Sequence, residues 1–159
     1  MVTYEEYTRN KQEEVNALPL KWAFSDKQFE EAMKDWGYEP SETDKICRIK
    51  GWNGAFIRKT DLPVLEAFLN KEDELPKLME DKEFRISAFL YEMNNHEYAI
   101  NTYQGDWEVC SCFSNKGLKY EDGKGYMSYL DEMGHQDWID DYKEARKRHY
   151  KIANDNDWF

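Results

Sequence analysis

KICRIKGWNGAFIRK, residues 45–59, decides the fold class of this chain. Two short runs, Lys45 to Ile49 and Ala55 to Lys59, flank a Gly-Trp-Asn-Gly segment whose glycines and Asn53 accept positive φ, so the stretch reads as an antiparallel hairpin. The rest of the pattern is largely helical, and this segment makes the chain α+β. Trp52 stands in the turn, where an aromatic ring either folds back onto its own domain or meets a partner.

Upstream, Ser25 and Gln28 form a capping box, and Phe29, Ala32, Met33 and Trp36 recur at helical spacing up to Gly37, a residue suited to a helix C-terminus. LPLKWAF, residues 18–24, is short and apolar and predicts an extended or strand segment. Thr3 and Glu6 make a further capping box, which opens a largely exposed helix over residues 3–17 that can lie at the periphery of the domain.

Downstream, Thr60 or Asp61 caps a helix with Pro63 in its first turn and Leu62, Leu65, Phe68 and Leu69 on one face; the charged run Lys71 to Glu83 interrupts or extends it. Phe84 to Asn95 carries Ile86, Phe89, Leu90 and Met93 at helical spacing, and Asn94 and Asn95 tolerate the left-handed conformation at its end. Residues 106–114 fit an alternating strand or a helix capped by Asp106, with Val109, Cys112 and Phe113 favouring the helix. Near the C-terminus Trp138, Ile139, Tyr142, Ala145, His149 and Ile152 form one stripe, with acids early and bases late, as the helix dipole favours. Together these elements predict a single mostly helical α+β domain over residues 1–159 with a small antiparallel hairpin or sheet.

Composition bounds the function. The 33 acidic and 22 basic residues of this 159-residue chain give a net charge of −11, which opposes binding to nucleic acid or an anionic membrane and otherwise serves solubility. No stretch is apolar enough for a signal peptide or a membrane span. The 3 cysteines, Cys47 alone and Cys110 and Cys112 too close for an easy bridge, predict no disulfide and a reducing, cytoplasmic setting.

Chemistry is hard to find in the pattern. YEMNNHEYAI, residues 91–100, gathers amides, an imidazole and a carboxylate, but it lies where a helix stops, and His96 there complements the negative end of the helix dipole. A zincin would need a second histidine four residues on, where Ile100 stands. With only His96, His135 and His149 and no Cys-x-x-Cys pair, a metal site would have to be assembled from distant residues, and none is expected. Cys110 and Cys112 read as small core side chains, since sequence places no histidine beside them. No nucleophile elbow, P-loop or dinucleotide fingerprint occurs, and no cofactor or catalytic residue is assigned.

LPLKWAFSDKQFEEAM, the following TDKI and GAFIRKTD, and YEMNNHEY together resemble an uncharacterised family of small proteins from phages and mobile elements of gut Firmicutes, over about residues 18–98. The resemblance carries no known activity; it implies an accessory gene of a mobile element. In that setting the expected function is non-enzymatic: an acidic protein of the anti-CRISPR or anti-restriction type that binds a basic nucleic-acid-handling enzyme of the host, its carboxylates standing where phosphates stand. Glu30, Glu31, Asp35, Glu39, Glu42 and Asp44, with Trp52, are the residues for such a surface. An enzyme or ligand-binding site would instead centre on Asn95, His96 and Glu97, and a nucleic-acid patch on Arg146, Lys147, Arg148 and Lys151.

Overall fold

The computed structural model describes residues 2–158, and the chain divides into two compact units: one is Asn10–Asp73, the other the residues through Arg9 together with those from Glu74 onward. The first helix, α1 (Tyr4–Asn16), contributes its opening turns to the second of these units and the remainder to the first. Its capping box forms in both directions, Thr3 N–H donating to Glu6 Oε2 at 2.8 Å and Glu6 N–H to Thr3 Oγ1 at 3.1 Å.

In the unit Asn10–Asp73, strands β1 (Leu20–Trp22), β2 (Ile46–Arg48) and β3 (Ala55–Arg58) make an antiparallel sheet in the order β1-β3-β2. The predicted hairpin is β2–β3, with Cys47 opposite Ile57, and LPLKWAF supplies the third strand, with Leu20 opposite Ile57 on the other edge. Ala55, Phe56 and Ile57 are all buried, which fits β3 as the central strand. Helix α2 (Asp26–Asp35) packs on this sheet; Ser25 Oγ accepts from Gln28 N–H, and Phe29 meets Phe56 at 5.4 Å between ring centroids. The helix closes as expected at Gly37, whose φ is 77° while Tyr38 N–H reaches Met33 O and Gly37 N–H reaches Lys34 O.

Helix α3 (Leu62–Leu69) follows, and here the sequence reading needs correction. Leu65 is buried, but Leu69, grouped with it on one face, is 59% exposed. Asp61 is not a side-chain cap either, because its carboxylate accepts from Arg58 Nε at 2.7 Å.

The other unit holds α4 (Leu75–Leu78), α5 (Lys82–Asn95), α6 (Thr102–Ser111), α7 (Tyr126–Glu132) and α8 (Ile139–Asp155). The charged run before α5 therefore contains a short helix and the true cap, Asp81, which accepts from Phe84 N–H at 2.8 Å. Helices α5 and α8 pack together, and Arg85 ties them with Nε and a second nitrogen at 2.9 and 2.8 Å from Asp141 Oδ2. The core contains Ile86, Phe89, Met93, Tyr98, Tyr129, Leu130 and Tyr142, each fully or almost fully buried. Tyr4 joins it at 5% exposure, so the opening turn of α1 is anchored in this core.

Residues 106–111 are helical, which resolves the strand-or-helix ambiguity of that segment, but Asp106 is not the cap. Asn101 accepts from Gln104 N–H, and Asp106 lies one turn inside α6, 4% exposed. It takes hydrogen bonds from the Tyr98 hydroxyl, from the Tyr142 hydroxyl at 2.8 Å and from Tyr126 N–H at 3.0 Å. Gly105 permits this: a Cβ there would stand 2.6 Å from the Tyr98 ring.

Candidate functional site

Helix α5 stops at Asn95, as the sequence suggested. His96 is its C-cap, donating N–H to Glu92 O, and Glu97 rather than an asparagine takes the left-handed conformation, with φ 51°. Within α5 the pair Glu92 and His96 is spaced i, i+4, and so is Glu108 with Cys112 at the end of α6, so each helix presents two polar side chains on one face. The two faces meet. Cys112 Sγ lies 3.4 Å from Glu92 Oε2 and 3.8 Å from His96 Nε2, and His96 Nε2 lies 3.2 Å from that same Glu92 oxygen.

The surrounding contacts orient these atoms. His96 Nδ1 faces Glu108 Oε2 at 3.5 Å, and the second Glu92 oxygen accepts from the Tyr4 hydroxyl at 2.7 Å. Glu92 is buried, His96 is half-buried and Cys112 is exposed at the surface of the cluster. Although Cys112 as a whole is exposed, desolvation of its thiol at the partly buried contact with Glu92, and then the Glu92 carboxylate itself, push it up to about 12. A thiol beside a carboxylate is a poor nucleophile, since the thiolate that must attack is disfavoured there. A cation changes that balance. Bond lengths of about 2.0–2.3 Å at tetrahedral angles put zinc ligands roughly 3.4–3.6 Å apart, close to the triangle that Sγ, Nε2 and Oε2 already form. All three ligand atoms lie within 4.8 Å of one another.

No metal site was expected from the sequence; the fold brings Glu92, His96 and Cys112, three side chains of ligand type, together. Of the residues proposed around YEMNNHEY, His96 belongs to it, Asn95 is exposed, and Glu97 lines a different pocket with Asn94 and His149. Glu92, Glu108 and Cys112 were missed; the two i, i+4 pairs were the available signal, and nothing in the sequence showed that they face each other. Cys110, by contrast, is the buried core cysteine expected. Cys112 is not: it corrects the reading of both as core side chains.

The other proposed groups lie apart from this site. Glu30, Glu31, Asp35, Glu39 and Asp44 are exposed and Glu42 half-buried; Asp35 pairs with Lys21 at 3.3 Å and Glu42 with Lys45. Trp52 is half-buried, its ring edge-on to Phe68 with centroids 6.5 Å apart, so it packs within its own unit. The basic run is partly engaged within its own unit. Arg146 lies over the Tyr126 ring at 4.9 Å, Arg148 bonds Glu144 at 2.9 Å, Lys151 bonds Asp155 at 2.7 Å, and Lys147 is exposed. Of the two aromatics at the C-terminus Trp158 sits near His149, and Phe159 lies outside the described residues.

Among the described residues no helix is long and apolar enough to cross a membrane. A protein-family profile described as a family of unknown function (DUF7659) matches residues 3–121, which covers all four members of the Glu92, His96, Glu108 and Cys112 cluster. No curated protein and no solved structure matches the chain.

Proposed function

We propose, for a chain that belongs to the DUF7659 family of unknown function, that Glu92, His96 and Cys112 bind a divalent transition-metal ion of the zinc type. The observation that carries this reading is the triangle of Sγ, Nε2 and Oε2 at 3.2, 3.4 and 3.8 Å, one sulfur, one nitrogen and one oxygen donor held at tetrahedral spacing. Glu108 would hold the imidazole through Nδ1–H and Tyr4 would hold Glu92 through its hydroxyl, the outer contacts that fix ligand orientation in metal sites. A protein donor set of this size leaves one tetrahedral position for water or a substrate atom. The ion would also clamp the end of α5 to the end of α6.

Cobalt(II) titration followed by absorbance tests the proposal, because a thiolate ligand gives an intense near-ultraviolet charge-transfer band that carboxylates and imidazole do not. The band should appear with the native chain and vanish in Cys112→Ser, and His96→Ala should weaken binding by about 10–100-fold or more. Zinc binding by equilibrium dialysis that is equal in the native chain and in Cys112→Ser with His96→Ala would end the proposal.

A second reading keeps the acidic surface. Glu30, Glu31, Glu39 and Asp44 are exposed in a unit that also exposes Trp22 at 48% and Phe24 at 73%, which supports docking of a basic protein partner. The mobile-element origin suggested by the resemblance would make that partner a nucleic-acid-handling enzyme of the host. Capture of such an enzyme that survives neutralisation of these four acids would refute this reading.

A further inference from the structure

A second pocket opens at the end of α5, lined by Asn94, Glu97, Ala99, Ile100, His149 and Trp158, with a volume of about 320 Å³. None of these residues belongs to the Glu92, His96 and Cys112 cluster, so the pocket has its own lining. His149 is the unusual member. It is 0% exposed, its Nδ1 stands 2.7 Å from Asn94 Oδ1, and its Nε2 is buried with no hydrogen-bond partner among the described residues.

The amide oxygen of Asn94 only accepts, so Nδ1 carries the ring proton and Nε2 presents a lone pair. Burial holds the imidazole below its ordinary value, in keeping with the neutral ring. A buried acceptor without a donor is destabilising, and a bound molecule that supplies the donor removes that cost. Among the described residues, the other lining group that can carry charge is the Glu97 carboxylate, an acceptor as well. Glu97 is held there by a left-handed backbone, φ 51°, a conformation that glycine would adopt more cheaply. Trp158, 47% exposed, adds an aromatic face, and Ala99 and Ile100 add apolar wall.

Each of these features selects the same chemistry. Two acceptors ask for a ligand rich in donors; a carboxylate asks for positive charge; an indole face favours a cation or an aromatic ring. An anion would be repelled by Glu97, and a neutral alcohol could satisfy Nε2 while leaving the carboxylate without a counter-charge. We infer that this pocket binds a small organic ammonium ion, its N–H groups donating to His149 Nε2 and to the Glu97 carboxylate while its apolar body lies against Ile100 and Trp158.

The test uses phenethylammonium as probe, with 2-phenylethanol and 3-phenylpropionate as neutral and anionic controls, followed by calorimetry and by the His149 ring resonances in NMR. Saturable binding of the ammonium ion with a shift of the His149 signals is expected, with weaker binding of the alcohol and none of the carboxylate. Glu97→Gln keeps the side-chain shape and leaves the backbone-bonded end of α5 intact, so it should fold normally and weaken the amine by about tenfold or more. His149→Phe should abolish the interaction. Equal binding of amine and carboxylate, unchanged affinity in Glu97→Gln, or no saturation by the amine would each overturn the inference.

Discussion

Replacing Asp106 by alanine removes the acceptor at the centre of the larger unit. Its carboxylate serves the hydroxyls of Tyr98 and Tyr142 and the backbone N–H of Tyr126, and the Tyr98 and Tyr142 side chains are fully buried. Each donor left without a partner costs about 1–3 kcal/mol, so the change should destabilise the protein by roughly 3–5 kcal/mol, allowing for partial relaxation. That is a large share of the about 5–15 kcal/mol typical of whole domains. Tyr142→Phe alone should cost about 1–1.5 kcal/mol, because it removes a donor and leaves Asp106 with its other partners. In the Asp106→Ala background the same Tyr142→Phe change should be almost neutral, since the hydroxyl there is already an orphan. Urea unfolding of the four proteins, followed by near-ultraviolet circular dichroism, measures the cycle. A loss below about 1 kcal/mol for Asp106→Ala, or an equal cost of Tyr142→Phe in both backgrounds, would refute the hydrogen-bond reasoning. There is also a pH signature. Burial holds the Asp106 carboxyl above the usual carboxylate range, against the hydrogen bonds and the Arg146 charge that lower it. The native state then binds its proton more tightly than the unfolded chain, so the contribution is full below about pH 4 and is lost as pH rises through the native value. The stability difference between native and Asp106→Asn proteins should therefore narrow with rising pH over that window.

Gly105→Ala should reverse the usual helix preference: alanine gains up to about 1 kcal/mol over glycine in a free helix, but here its Cβ would stand 2.6 Å from the Tyr98 ring and 3.3 Å from the Tyr98 Cα, for a net loss of about 1–3 kcal/mol in a thermal melt. Glu97→Gly should do the opposite, raising stability by about 0.5–1 kcal/mol because the left-handed C-terminal position favours glycine, while losing the ammonium ligand in calorimetry. His149, held neutral by burial against Asn94, Tyr98, Tyr150 and Trp158, has a depressed native value, so its contribution is present above about pH 6.5 and is lost as pH falls through that native value; in His149→Phe the acid-side slope of urea midpoints should flatten.

Local rules wrote much of this fold into the sequence. The capping boxes at Thr3 and Ser25, the glycine end of α2, the β2–β3 hairpin and the stop of α5 at NNHE are made by residues within a few positions of one another, so spacing and side-chain chemistry suffice to find them. The α+β class followed from one hairpin segment, and the acidic character of the surface from composition alone. The sites belong to another order of contact. Cys112 meets His96 from sixteen residues away and Glu92 from twenty, Tyr142 meets Asp106 from thirty-six, and His149 meets Asn94 from fifty-five. Only the packing of α5 against α6 and α8 decides whether such residues are neighbours, because a helix fixes which side chains share its face and not which face it will meet. The same packing turned Arg146 from a member of a basic stripe into a cation laid over Tyr126, and turned Asp106 from a cap into the buried acceptor of the core.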